Sequence, residues 1–191
     1  MPLPSVDWAA LEDCYGPAVR TPRLLAGLLS GERRAVDAGL NHLWDDLIHQ
    51  GTVYSATPHA ALVVASLLTA GVDSPPWEYE RRPLRAKLLE WLAGLASAVG
   101  DRQEEKVWIW SGGRVALRED PVIVEIRALR PTLLDAVRPY LDDPNEPVRE
   151  AATDAADLLE DAPVPLVLLD EDLWGPTPLP DPEGPFDDPP F

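Results

Sequence analysis

The sequence predicts an all-α fold built from helical hairpins, and three observations carry that expectation. Apolar residues recur at helical spacing in several separate stretches: Val36, Leu40, Leu43, Trp44, Leu47 and Ile48 lie at offsets +4, +7, +8, +11 and +12, one stripe of a helix with 3.6 residues per turn. Short breaker clusters such as Ser30-Gly31 and Asp142-Asp143-Pro144-Asn145 separate these stretches. The segment Ala60 to Leu68 is apolar nearly all round, as expected of a helix packed on several sides and therefore central.

Taken in order, residues 5 to 15 are expected as a short entry helix with Ser5 as N-cap and Trp8, Leu11 and Tyr15 on its apolar side. Thr21-Pro22 marks a second start, with Thr capping and Pro where its missing N–H costs nothing, and this helix ends at Leu29. The long helix from Glu32 carries the stripe above, with Asp37, Asn41, Asp45 and Asp46 opposite it, and stops at Gly51. Helices over 57–70 and from Leu84 to near Gly100 follow, the latter with Leu84, Leu88, Trp91, Leu92 and Leu95 on one side. Residues 101–118 break the pattern: Val107-Trp108-Ile109-Trp110, Ser111-Gly112-Gly113, Val115 and Leu117 suit a small hairpin or an ordered loop. Helices resume at Asp120-Pro121 and are split by Pro131 into 121–130 and 132–141, and a last one spans 146–159.

The final 31 residues hold nine of the 22 prolines, eight acids and no Lys or Arg. Residues 163–169 suit one more packed turn, and 170–191 read as an acidic Pro-rich tail, docked through Trp174, Phe186 and Phe191 or free. The division expected is thus a helical domain over 1–169, with an irregular insertion at 101–118, followed by the tail.

Composition bounds the function. At 191 residues the chain is long enough for a core without staples, and its one cysteine, Cys14, has no internal partner, as suits a reducing, cytoplasmic setting. Met1-Pro2-Leu3-Pro4 lacks the features of a secretory signal, and the longest apolar run falls short of the roughly 20 residues that span a bilayer. A formal charge of −17 repels phosphate backbones and anionic membranes and steers basic partners inward. The one basic concentration, Arg81, Arg82, Arg85 and Lys87 beside Glu78 and Glu80, reads as salt pairing on a solvated face.

Leu29-Ser30-Gly31-Glu32-Arg33-Arg34-Ala35-Val36 has a counterpart in Leu141-Asp142-Asp143-Pro144-Asn145-Glu146-Pro147-Val148-Arg149-Glu150-Ala151-Ala152. The second resembles the HEAT-repeat signature, in which Asp-Pro, Val-Arg and alanines mark the interhelical turn and inner helix. His49-Gln50-Gly51-Thr52-Val53-Tyr54 with Ala56-Thr57 is similar to a stretch in bacterial HEAT-like proteins. The resemblance covers about 20–70 and 120–160 and not the insertion or the tail. It implies a short right-handed α-solenoid of roughly four HEAT-like hairpins, and a protein-binding role of the immunity or antitoxin kind.

No catalytic residue, metal or cofactor is expected. His42, Asp45, Asp46 and His49 share one helix away from its apolar stripe, as a metal site would need, but His42 and His49 lie seven residues apart, about 10 Å along a helix, whereas two imidazoles on one zinc need i, i+4 spacing. Cys14 reads as an incidental thiol, with His59 as a spatial neighbour, and His49 is expected to bond the turn at Gly51 to Tyr54. The residues expected at a partner interface are Asp45, Asp46, Trp108, Trp110 and Trp174, against a basic protein such as a toxin domain. An assembly scaffold and a HEAT-like nucleic-acid repair enzyme are the alternatives; a positively charged groove with a buried carboxylate favours the latter.

Overall fold

The computed structural model describes residues 6–72 and 82–160. The expectations for Ser5, Glu78 to Arg81, 163–169 and the tail with Trp174 lie outside these residues. Seven α-helices dominate the described residues, with two short antiparallel hairpins: α1 (Thr21–Gly27), α2 (Arg33–Asn41), α3 (Thr57–Thr69), α4 (Leu84–Ala98), α5 (Asp101–Trp110), α6 (Pro121–Val137) and α7 (Glu146–Glu160), with β1 (Glu12–Asp13) paired to β2 (Gly16–Pro17) and β3 (Ile48–His49) to β4 (Thr52–Val53). None of the described helices is long and apolar enough to cross a membrane.

The entry segment departs from the expected helix. Only Trp8–Ala10 forms a 3-10 turn, capped by Asp7, whose carboxylate accepts from Ala9 N. Cys14 and Tyr15 then turn the chain back between β1 and β2, and Gly16 at φ +116° with Pro17 follows as β2, which a helix cannot accommodate. Trp8 and Leu11 pack on the core as expected, whereas Tyr15 is exposed.

α1 and α2 form the first helical pair. They approach closely because Gly27 faces the Ala35 backbone and Gly39 faces the Leu24 carbonyl, each leaving no room for a Cβ. Thr21 opens α1 without capping it; its hydroxyl is engaged elsewhere. The long helix expected from Glu32 to Gly51 is shorter. α2 passes into a π-turn over His42–Asp46, closed by Leu47 N donating to the His42 carbonyl, and Ile48 and His49 leave as β3. Gln50 and Gly51, at φ +52° and +81°, make the two-residue turn that matches hairpin twist. Gly51 is left-handed as expected, but inside a hairpin and not at a helix end.

α3 and α4 match the expected ranges closely. α4, not α3, is the more enclosed, with ten of its fifteen residues buried against seven of thirteen in α3. Leu88, Leu89, Trp91, Leu92 and Leu95 are fully buried in it. Trp91 Nε1 donates to the Leu43 carbonyl at 2.8 Å, and the Trp44 ring lies over Gly94, so α4 grips the π-turn through two indoles. α4 packs chiefly on α7 and α3 on α6, while α6 packs on α7.

Pro131 does not split the chain, because α6 runs unbroken through it. An interior proline costs about 3 kcal/mol, but Ile123 and Ile126 before it and Leu133, Leu134 and Val137 after it are all buried, which holds both halves on one axis. Asp120 caps α6, accepting from Val122 N at 2.8 Å and Ile123 N at 3.4 Å. At the next turn, where the Asp-Pro/Val-Arg pattern falls, Arg149 Nη1 donates to the Asp143 carbonyl at 2.8 Å. Tyr140 Oη reaches across to the Leu68 carbonyl at 2.6 Å and closes the end of α3.

The segment 101–118 also departs from expectation. Its first ten residues form α5, followed by a turn at Gly112 and Gly113 and a 3-10 turn over Leu117–Glu119. A buried ion pair accounts for this. The Glu104 carboxylate, on a residue 2% exposed, accepts from Arg127 Nη2 and Arg118 Nε, both at 2.8 Å, and joins α5 to α6 and to the 3-10 turn. Helical spacing of an acid gives no signal of that burial.

Candidate functional site

Two regions stand out, and the first is built around the π-turn. The N-terminal hairpin is fastened there by the backbone: Cys14 N donates to the Asp46 carbonyl at 3.0 Å, and Ala56 N to the Glu12 carbonyl at 3.1 Å. Ser55 Oγ accepts from Glu12 N at 2.8 Å, and Thr57 Oγ1, bonded to the Leu47 carbonyl at 2.7 Å, ties α3 to the same turn. These bonds bring Asp13, 29 residues away in sequence, against His42 and Asp46. One donor atom from each of the three lies within 4.8 Å of the other two.

His42 is 2% exposed and uses both ring nitrogens. Nδ1 lies 2.6 Å from Asp46 Oδ2 and Nε2 lies 2.9 Å from Thr21 Oγ1. A carboxylate can only accept here, so a neutral ring carries its proton on Nδ1 and takes the Thr21 hydroxyl proton at Nε2. The His42–Asp46 pair, at i and i+4, lies within the π-turn itself. Arg20 Nη2 stands 3.5 Å from the same Asp46 oxygen. Asp13, 4% exposed, accepts from Tyr15 N at 2.9 Å and lines a shallow cavity of about 430 Å³ with Tyr15, Pro17 and Arg20.

The order Thr21, His42, Asp46 has the connectivity of a nucleophile–base–acid relay. It does not have the access: Thr21 is 0% exposed, so no substrate reaches its oxygen, and the hydroxyl serves to orient the ring. Cys14 is no substitute. Its Sγ bonds the Asp45 carbonyl at 3.5 Å, and burial, followed by the charges of Asp46 and Asp13, pushes its thiol pKa up. His59 is not its partner; that ring stands edge-on to Trp8 at 6.2 Å. Nor does His49 bond the turn after it, since its Nδ1 takes the Asp45 carbonyl at 2.9 Å.

The second region comprises the exposed end of α5 and, on a separate helix, the exposed side of α7. Trp110 is 91% exposed and Ile109 53%, at the end of the helix that Glu104 holds in place. Trp108, two positions back and so about 200° round the helix, is half-buried and covers Gly113. On α7, Glu146, Glu150, Asp154, Asp157 and Glu160 are all exposed, at offsets +4, +8, +11 and +14 that make one acidic ridge opposite the buried Val148, Ala152 and Ala155.

Of the residues expected at an interface, Asp45 and Trp110 face solvent, Trp108 does so in part, and Asp46 is turned inward onto His42 and Arg20. Asp13, Thr21 and the α7 ridge went unmarked; only the ridge had a signal, its helical spacing. The described cations of the basic stretch are paired as expected: Arg82 with Glu90 and Glu150, Arg85 with Asp143, and Lys87 with Glu90. No family model, curated protein or solved structure matches the chain.

Proposed function

We propose that this protein is a non-catalytic binding module, a HEAT-like right-handed α-solenoid that holds a basic protein partner against an acidic surface. The pairing of α3 with α6 and α4 with α7 supports the solenoid, because stacked hairpins put first helix on first and second on second. The Arg149 contact to the Asp143 carbonyl supports the HEAT-like turn.

The observation that carries the function is the exposed five-carboxylate ridge of α7. In a chain of net charge −17, such a ridge accelerates encounter with a cationic surface and disfavours nucleic acid and anionic membranes. Trp110 supplies the apolar anchor that protein interfaces concentrate their energy in. Inhibition of a basic toxin, such as a nuclease, fits an acidic surface of this kind, as the immunity or antitoxin reading requires; Asp45 is a further exposed acid at the π-turn, and Asp46 is turned inward.

The test is to isolate the partner by affinity capture from the source organism and to measure its association rate against salt. Steering predicts a marked fall in rate as salt rises. Asp154→Lys with Asp157→Lys should slow association, and Trp110→Ala should weaken the complex by about tenfold or more without altering helicity. A salt-insensitive association unchanged in these variants would replace this reading with that of an uncharged assembly scaffold.

A further inference from the structure

We propose that Asp13, His42 and Asp46 form a binding site for one divalent transition-metal ion of the zinc or manganese kind, with an open coordination position facing the cavity beside Tyr15 and Arg20. The proposal is independent of the partner-binding surface on α5 and α7.

The donor set is the first argument. An imidazole nitrogen with two carboxylates suits borderline ions such as zinc and manganese, whereas magnesium and calcium favour oxygen alone. The three donor atoms sit within 4.8 Å of one another, and two of the three residues are buried. Donors on one such ion stand about 3 to 3.5 Å apart, given metal–ligand bonds near 2.1 Å. The His42–Asp46 separation of 2.6 Å therefore has to open by somewhat under 1 Å, and Asp13, whose donor lies within 4.8 Å, has to close in by at most about 1 to 2 Å. Both are side-chain adjustments.

Charge is the second argument. The two carboxylates crowd a site where the nearest fixed cation is Arg20, 3.5 Å from Asp46 on a side chain 56% exposed. Arg20 can swing into solvent when an ion arrives, and a divalent ion then neutralises both acids.

The third is the support behind His42. A ligating imidazole needs its other nitrogen fixed by a hydrogen-bond partner. Thr21 Oγ1 stands 2.9 Å from Nε2 and is fully buried. A hydroxyl both donates and accepts, so when the ion takes Nδ1 the ring proton moves to Nε2 and Thr21 changes from donor to acceptor. The π-turn that carries His42 and Asp46 is a backbone irregularity frequent at functional sites. Asp13 lines the cavity, which gives the ion a path in and leaves room for water or a ligand group.

The test uses the full chain, stripped with EDTA and titrated separately with Zn(II), Mn(II) and Mg(II) by calorimetry. The chain has three histidines, so long-range proton–nitrogen NMR can follow each ring. The expected result is saturable binding of one Zn(II) or Mn(II), no comparable heat with Mg(II), and a Zn(II)-induced change at His42 Nδ1. Asp13→Asn, which keeps the acceptor for Tyr15 N, should weaken binding at least tenfold with unchanged circular dichroism, and His49→Gln should leave it intact. The proposal is overturned by absence of saturable binding, by full affinity in Asp13→Asn, or by a His42 ring that does not respond. Asp46→Asn is a further probe; should it fail to fold, the Asp13 variant and the wild-type NMR still decide.

Discussion

Replacing Glu104 tests whether a buried ion pair holds the Trp110 helix in place. The Glu104 side chain is 3% exposed; of its two partners, Arg127 is 18% exposed and Arg118 46%. Breaking a well-buried pair by removing one member costs about 3–5 kcal/mol. The Arg127 arm falls at or just below the low end of that range, and the half-exposed Arg118 arm adds under about 1 kcal/mol. Glu104→Ala should therefore destabilise by about 3 kcal/mol and lower Tm by about 6–12 °C in a chain of this size. The loss should also be local, since apart from these ion pairs α5 packs mainly on α4 and the 3-10 turn. Hydrogen exchange should accelerate over 101–110 well before it does in α3. In a double-mutant cycle, Glu104→Ala and Arg127→Ala should be clearly less than additive. A loss under about 0.5 kcal/mol with unchanged α5 exchange would refute the clamp.

Other perturbations give separate checks. Gly39→Ala puts a Cβ 2.7 Å from the Leu24 carbonyl, so α1 must retreat from α2. A net loss of about 1–2 kcal/mol is expected on denaturation, after the helix-propensity gain, with a shifted His42 ring resonance as Thr21 moves away. Cys14 should alkylate more slowly than a free thiol at mildly alkaline pH, because burial and then Asp46 and Asp13 raise its pKa; Asp46→Asn should speed it. Tyr140→Phe removes one of the bonds to the Leu68 carbonyl, which keeps Gly71 N at 2.9 Å, and should cost about 0.5–1.5 kcal/mol. Burial also raises the Tyr140 pKa, so the native state holds this proton longer than the unfolded one. Wild-type stability should then fall as pH rises above the ordinary tyrosine value of about 10, and the Phe variant should lack that component in an alkaline denaturation series.

What the sequence made legible follows the range of the forces involved. α3, α4 and α7 were readable because each declares itself within one or two turns, by apolar spacing and a proline or Asp-Pro start. The π-turn was not, since the stripe from Val36 to Ile48 also fits a straight helix; the register change shows only once Leu43 bonds Trp91, 48 residues away. Pro131 misled because the local penalty is visible in one residue while the burial that outweighs it comes from other helices. The candidate metal site was half legible: His42 and Asp46 stand together among the polar residues of one helix, but the seven-residue spacing of His42 and His49 speaks against zinc there. Asp13 could not be found at all, because only the hairpin's backbone bonds to Asp46 and Ala56 place it there.

The π-turn also bears on how this chain tolerates change in length. A turn of that kind holds one residue more than an ordinary helical turn. Removing a single residue between His42 and Asp46 would return it to an ordinary helical turn with Leu47 and Ile48 still in the interior, yet it would move the carboxylate to i+3 of the imidazole and break the 2.6 Å contact between them. A comparison of related genes should therefore find indels common in the loops and missing from these five codons.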